Sequence, residues 1–310
     1  MIGRVIKSTG SWYNVQDDTG KVWQSRLRGK IRLDNIRSTN PVAVGDMVVF
    51  EQERGKDTAV IKEIKPRHNA IVRQSVNLSK ATHIMAANID QAIVVATVSH
   101  PRTSTGFIDR LLVTAEAYHI KSVLVFNKSD LYDDEETEYA RTLSDYYKSI
   151  GYESFIASAK TGHNLDLLKE TMKGKTNMFA GHSGVGKSAL VNALDNSLHL
   201  QVGEISDVHN KGKHTTTHAE IFPLAFGAWI IDTPGIKEFG LYDLDKETLA
   251  QRFPEMRNLM SGCRFNNCTH THEPECAIKQ AMEKELIAPW RYTNYLNMMN
   301  GEIASEEEYS

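Results

Sequence analysis

Across residues 1 to about 66, apolar positions come in short alternating runs divided by turn residues, the pattern of β-strands with one buried face. The strand candidates are Val5-Ile6, Trp12-Tyr13-Asn14-Val15, Val22-Trp23, Ile31-Arg32-Leu33 and Met47-Val48-Val49-Phe50. Asp18-Thr19-Gly20 and Val44-Gly45-Asp46 supply turns between them. Short strands without a helical period predict a small closed barrel, of the OB-fold kind. Pro66-Arg67-His68-Asn69 ends it, and a polar connector is expected through Ser79-Lys80-Ala81-Thr82.

From Asp90 to about Asp245 the rhythm changes to apolar strand, loop, helix. Ala92–Ala96, Val123–Phe126, Phe155–Ala157, Asn177–Ala180 and Trp229–Ile231 read as strands, with helices at Ile108–Tyr118 and Glu135–Ile150. Continuous apolar strands alternating with helices predict a doubly wound α/β sheet. Residues 246–310 read as helical around a cysteine cluster and end in Glu306-Glu307-Glu308. The expected domains are therefore a barrel at 1–68, an α/β domain at 69–245 and a small helical domain at 246–310.

Composition alters this picture in one place. A formal net charge of −3 exerts no global pull on nucleic acid. Within residues 1–67, however, thirteen Lys/Arg stand against eight Asp/Glu. Arg26, Arg28, Lys30, Arg32 and Arg37 cluster there, with Trp12, Tyr13 and Trp23 as stacking platforms for RNA. No apolar run approaches the ~20 residues a membrane helix needs, and Met1–Val5 opens no signal-peptide core. The expectation is a cytoplasmic chain with no membrane partner.

The chemistry begins at Gly181-His182-Ser183-Gly184-Val185-Gly186-Lys187-Ser188, which fits G-x-x-x-x-G-K-[ST] between a strand and the helix opening at Ala189. Glycines let backbone N–H groups turn toward phosphate oxygens, and the helix N-terminus adds a positive dipole end. Lys187 would neutralise β- and γ-phosphate charge, and the Ser188 hydroxyl would hold Mg²⁺. Downstream, Asp232-Thr233-Pro234-Gly235 closes an apolar strand. Asp232 would reach the Mg²⁺ shell and the Gly235 N–H a γ-phosphate. In Lys213-His214-Thr215-Thr216-Thr217, either Thr215 or Thr216 would complete the Mg²⁺ coordination and order that loop as a switch. The position after D-x-x-G, where a water-orienting glutamine often stands, is Ile236, so His214 is the local candidate for catalysis.

Asn127-Lys128-Ser129-Asp130 follows a strand directly. The Asp130 carboxylate would accept from guanine N1–H and its exocyclic amine, Lys128 would cover the ring, and Asn127 would bridge toward the phosphate loop. Ser158-Ala159-Lys160 follows another strand and would bring backbone to the guanine O6. These base-reading loops argue against a small-molecule kinase. They precede the phosphate loop, whereas in common GTPases they follow it, so the order is circularly permuted. Finally, Cys263-x4-Cys268-x-His270-x5-Cys276 gathers every cysteine of the chain. Three thiolates and one imidazole make a closed, structural Zn²⁺ site, with His270 preferred over His272 by spacing.

The permuted motif order, Gly-Lys-His-Thr-Thr-Thr, Asp-Thr-Pro-Gly, the barrel and the cysteine cluster together resemble the RsgA (YjeQ) family. Lys213 departs from the family's more frequent arginine. The resemblance implies a late-stage assembly GTPase whose partners are the small (30S) ribosomal subunit and its 16S rRNA. Its ligands would be GTP, GDP, Mg²⁺ and one structural Zn²⁺, and its hydrolysis would be stimulated by that subunit. It also strengthens His214 as a catalytic group and assigns RNA contacts to the barrel and the zinc region. The chain is expected to act as a monomer.

Overall fold

The structure is a computed structural model and describes residues 1–27, 41–74, 82–198, 219–232 and 245–302. The chain opens with β1 (Ile2–Ser8), β2 (Tyr13–Asp17), β3 (Val22–Leu27), β4 (Met47–Gln52) and β5 (Thr58–Ile64). β1 pairs with β2, β2 with β3, β3 with β5, β5 with β4, and β4 returns to β1. That closed order is an OB-type barrel. Its core is the inward half of the alternation, including Val5, Val15, Phe50, Ala59 and Ile61, and also Tyr13 and Trp23. These two aromatics are therefore core residues and not stacking platforms, whereas Trp12 is exposed. Asp17 pins the β2–β3 turn, accepting from Thr19 Oγ1 at 2.6 Å and from Trp23 Nε1 at 2.7 Å. Those hydrogen bonds, Thr19 first, hold its carboxyl down at about 2.

Three described strands, β5 and the two of a hairpin, stand where the sequence predicted none. β5 takes a place that none of the strand candidates filled, because Lys62 and Glu63 end its alternation after Ala59 and Ile61. The candidate Ile31-Arg32-Leu33 lies outside the described residues, as do Arg28, Lys30 and Arg37. The expected polar connector contains a hairpin, β6 (Ala70–Gln74) against antiparallel β7 (Thr82–Ala87). Buried Ile84 and Ala87 pack with Ala43, so a small apolar cluster of its own stabilises it.

There follow β8 (Gln91–Ala96), α1 (Thr105–Ala117), β9 (Lys121–Phe126), α2 (Asp134–Ser149), β10 (Glu153–Ile156) and α3 (Leu165–Met172). Next come β11 (Thr176–Ala180), α4 (Lys187–Leu194), β12 (Glu220–Pro223) and β13 (Trp229–Asp232). The C-terminal region holds α5 (Pro254–Arg257), α6 (Ala277–Glu283) and α7 (Pro289–Asn300). None of the described helices is long and apolar enough to cross a membrane.

The chain divides into two compact units. One joins Met1–Gln91 and Lys169–Phe179 to the described part of Val208–Gly235. Here β11 runs parallel to β13, β13 pairs antiparallel with β12, and β12 meets barrel strand β1 at Lys7 and Glu220. The Lys7–Glu220 ion pair at 2.7 Å marks that junction, and Arg4 lies 4.9 Å over the Trp229 ring while donating to Thr176.

The second unit joins Ala92–Leu168 to the described parts of Ala180–Asp207 and Ile236–Ser310. β9 lies between β8 and parallel β10. α2 starts with a complete capping box, Asp133 and Glu136 each accepting the other's backbone N–H. In the C-terminal region, Val113 of α1 packs with Phe253, Met256, Ile278, Ile287 and Tyr295. Beside them Arg291 of α7 is fully buried between Asp109 of α1 and Glu255. Burial opposes its charge, but these two carboxylates hold the guanidinium well above its usual range.

Candidate functional site

Three loops at strand ends meet around Asn127. Its side-chain amide donates to Val185 O of the phosphate loop at 2.8 Å, and its carbonyl accepts from Ala159 N at 3.2 Å. Asn127 is 1% exposed, so both links run through a dry site where an unmade hydrogen bond would be costly. One residue therefore fastens N-K-x-D to both S-A-K and the phosphate loop. The next residue, Lys128, sits at φ 66°, a left-handed conformation unusual for a side-chain-bearing residue, and donates to His100 O at 2.5 Å. Burial pushes its ammonium pKa down, with Asp130 acting the other way.

Asp130 accepts from Ser158 Oγ at 2.5 Å, and Lys160 Nζ stands 3.7 Å from its other oxygen. An ionised carboxylate has about four lone-pair sites, so these two partners leave acceptors for a cyclic N–H and an amine. Tyr132 buttresses the loop from behind. Its hydroxyl donates to Asn127 O and accepts from Val98 N at 3.2 Å.

In the phosphate loop the conformation is enforced by glycine. Gly186 has φ 93°, and a Cβ there would lie 2.5 Å from Asn127 Nδ2. At Gly181, with φ 145°, a Cβ would collide with Val95 O. Lys187 is 5% exposed and donates to the carbonyls of Gly181 and His182, both at 2.8 Å. It is folded back over the loop through which it would reach phosphate. Ser188 is buried one position into α4, and Ala189 follows it on the same helix. His182 Nε2 lies 2.7 Å from Thr103 Oγ1, and the His182 ring meets Phe107 edge-on. Ser183 O is 2.9 Å from His182 Nδ1, and Gly184 lies against Pro101.

The segment Thr97–Thr103 is thus a wall of the site that sequence reasoning missed. Its residues fit no phosphate or base motif, and only the strand-end position after Ala96 hinted at it. The backbone of Asp232 ends β13, while Gly235, His214, Thr215 and Thr216 lie outside the described residues.

A second constellation sits in the C-terminal region. Cys263, Cys268, His270 and Cys276 bring one ligand atom each to within 4.8 Å of one another. Cys263 Sγ and Cys276 Sγ are 4.0 Å apart, and His270 Nδ1 lies 3.5 and 3.4 Å from them. Tetrahedral Zn²⁺ with bonds of ~2.3 Å to sulfur and ~2.0–2.1 Å to nitrogen would need ~3.8 and ~3.6 Å. The donor set and its spacing fit the ion. His270 is 1% exposed and burial lowers its pKa, which favours the neutral imidazole that can ligate a metal. Burial pushes the Cys268 thiol up to about 12. His272, by contrast, is exposed and lies against Thr271 Oγ1 at 2.9 Å. The loop is shaped by Glu273, which accepts from Thr269 and Thr271, and by Tyr292 and Tyr295, which donate to His270 O and Thr269 O at 2.6 and 2.7 Å.

Comparison with known proteins identifies the family. A family model described as RsgA GTPase matches residues 64–242, and one described as RsgA N-terminal domain matches residues 2–61. The small ribosomal subunit biogenesis GTPase RsgA of Christiangramia forsetii is 53% identical over 304 residues, covering 97% of this chain and 96% of that one. Its counterpart in Flavobacterium johnsoniae is 49% identical over 311 residues, covering 100% and 95%. YjeQ from Thermotoga maritima superposes with a TM-score of 0.79 at 35% identity, over 98% of this chain and 99% of that one. YloQ, described as a circularly permuted GTPase, gives 0.75 at 32% identity, over 97% and 94%. With N-K-x-D and S-A-K ahead of G-x-x-x-x-G-K-S and a barrel in front of all three, the chain belongs to the RsgA family of circularly permuted GTPases.

Proposed function

We propose that the chain hydrolyses GTP to GDP and phosphate as a late-stage assembly factor of the small ribosomal subunit, and that this subunit stimulates the turnover. The observation that carries the guanine reading is Asn127, which ties the phosphate loop to both base loops through Val185 and Ala159. Asp130 would accept from guanine N1–H and the exocyclic amine, and Lys128 would lie along the ring. The Gly181–Ala189 amides would bind the phosphates, and Lys187 would move from the Gly181 and His182 carbonyls onto the β- and γ-oxygens. Ser188, Asp232 and Thr215 or Thr216 would hold Mg²⁺, which supplies charge neutralisation between the phosphates. His214 would orient the attacking water, since Ile236 stands where a glutamine would do so.

The Cys263–Cys268–His270–Cys276 centre would hold one structural Zn²⁺. We assign RNA contacts to the barrel within 1–68 and to the helical region 246–310, flanking a GTPase domain at 69–245. The lysine and arginine surplus of residues 1–67 supports the first of these assignments. The reading places the protein in the cytoplasm, acting as a monomer.

Two measurements test it. Asp130→Asn should lower GTP affinity about 10²- to 10⁴-fold and raise affinity for xanthosine triphosphate, because the amide reverses one hydrogen bond to the base. Unchanged GTP binding would remove Asp130 from base recognition. GTP hydrolysis should rise by orders of magnitude on adding purified small subunits but not large ones. Absence of that rise would leave a GTPase with a different activator.

A further inference from the structure

We propose that the N-terminus of α1 and the buried guanidinium of Arg110 form a second anion site, distinct from the phosphate loop, built for a phosphate group. α1 is a helix of 13 residues capped by Ser104, whose hydroxyl accepts from Phe107 N at 3.2 Å. An α-helix cannot satisfy its first amides internally, which leaves those of Thr105 and Gly106 pointing outward with the positive end of the dipole. The first turn contains no acidic side chain to use that field.

Arg110 supplies the independent observation. It is 7% exposed, yet its guanidinium makes no hydrogen bond or ion pair with any described residue, and burial alone lowers its pKa. Buried charges are otherwise paired, because leaving one unpaired in a dry site is expensive. Its neighbour on the helix shows the contrast: Asp109 is engaged by Arg291, Tyr147 and Asn294.

The guanidinium and the free amides open on one cavity. Ser104, Thr105, Gly106, Arg110, Asn297 and Glu302 line about 100 Å³. At ~30 Å³ per water that is space for roughly three waters, enough for one tetrahedral oxyanion and too little for a drug-sized ligand. Arginine matches an oxyanion with paired N–H groups, backbone amides add two more, and Asn297 brings a side-chain amide. Glu302 opposes an anion there; it is exposed, so its repulsion is screened. The ligand class is therefore a phosphate, either free or in the backbone of a nucleic acid. It would sit two residues from Thr103, whose hydroxyl meets His182 of the phosphate loop.

The test uses the full chain saturated with Mg²⁺ and a non-hydrolysable GTP analogue, so that the phosphate loop is filled. Titration with inorganic phosphate should move the Thr105 and Gly106 amides and the Arg110 Nε–H saturably in NMR spectra. Arg110→Gln should weaken this at least tenfold, and Glu302→Gln, at an exposed position that keeps the fold, should tighten it about two- to threefold. Opposite changes from the two variants separate a binding site from a merely damaged helix. A short oligouridylate that produces the same shifts and is displaced by phosphate would identify RNA backbone as the source. Shifts with inorganic phosphate alone would identify a free phosphate compound. Non-saturable shifts, shifts that persist in Arg110→Gln, or an Arg110 signal that changes on Glu302→Gln without phosphate would overturn the proposal. The readout amides lie outside the phosphate loop, so failure of the GTP reading would not imitate failure here.

Discussion

The nucleotide cradle and the cysteine knuckle belong to the same compact unit but are held together by different means. In the cradle every strut is polypeptide: Asn127 bonds to Val185 and Ala159, Tyr132 backs the Asn127 carbonyl, and Lys187 is satisfied by loop carbonyls. In the knuckle the key side chains converge on a common centre and bond little else. His270 Nε2 has no partner among the described residues, and its Nδ1 faces two sulfur atoms. A site braced by its own hydrogen bonds is formed before its ligand arrives. A site whose donors share one centre is formed by the ligand, and its folding free energy is largely metal-binding free energy.

The sharpest way to break this contrast is to remove a thiolate. Cys268→Ala should lose bound zinc and about 5 kcal/mol or more of local stability, read as hydrogen exchange over Leu259–Cys276. GTP affinity should change by less than about tenfold, and a larger fall would show that the cradle also depends on the metal. Next in size, Gly186→Ala should reduce nucleotide affinity about 100-fold, or ~2.7 kcal/mol, with zinc content unchanged. Its Cβ meets Asn127 at 2.5 Å in a backbone conformation that alanine avoids, so near-normal binding would show that the cradle reforms around its ligand.

The smallest effect is at the buttress. Tyr132→Phe should cost about 1 kcal/mol, because two hydrogen bonds are lost at a half-buried position. Burial pushes the Tyr132 phenol up to about 12, whereas unfolded tyrosine titrates near ~10. The neutral phenol's contribution is thus complete below pH ~10 and disappears as pH rises to about 12. Denaturation between those values should show a shallower loss of stability in the variant, and an unchanged slope would release Tyr132 from that role.

Much of the cradle was legible because phosphate and guanine chemistry permit few residue types. Gly186, Lys187, Asn127 and Asp130 stand out by type and spacing, and the structure gathers them at neighbouring strand ends. The Thr97–Thr103 wall carries no such restriction, since it contributes a carbonyl at His100 and a hydroxyl at Thr103, groups that many sequences offer. The hairpin of β6 and β7 was hidden for another reason: its buried residues are few, and polar positions surround them. Strand β5 lost its alternation at Lys62 and Glu63, where the barrel surface replaces the core. Buried Arg291 was the least legible, because nothing in the order of residues brings Asp109 and Glu255 together.

The meeting of β1 with β12 at Lys7 and Glu220 has a consequence for how this chain tolerates truncation. With β2 along one edge of β1, the other edge is shared: Ile2, Gly3 and Arg4 pair with β4 to close the barrel, and Lys7 meets Glu220 of β12. A chain shortened to begin after the barrel would leave β12 with unpaired backbone donors and acceptors, a template for pairing with another copy. Such a shortened chain should therefore aggregate more readily than the full chain, as light scattering of the two would show.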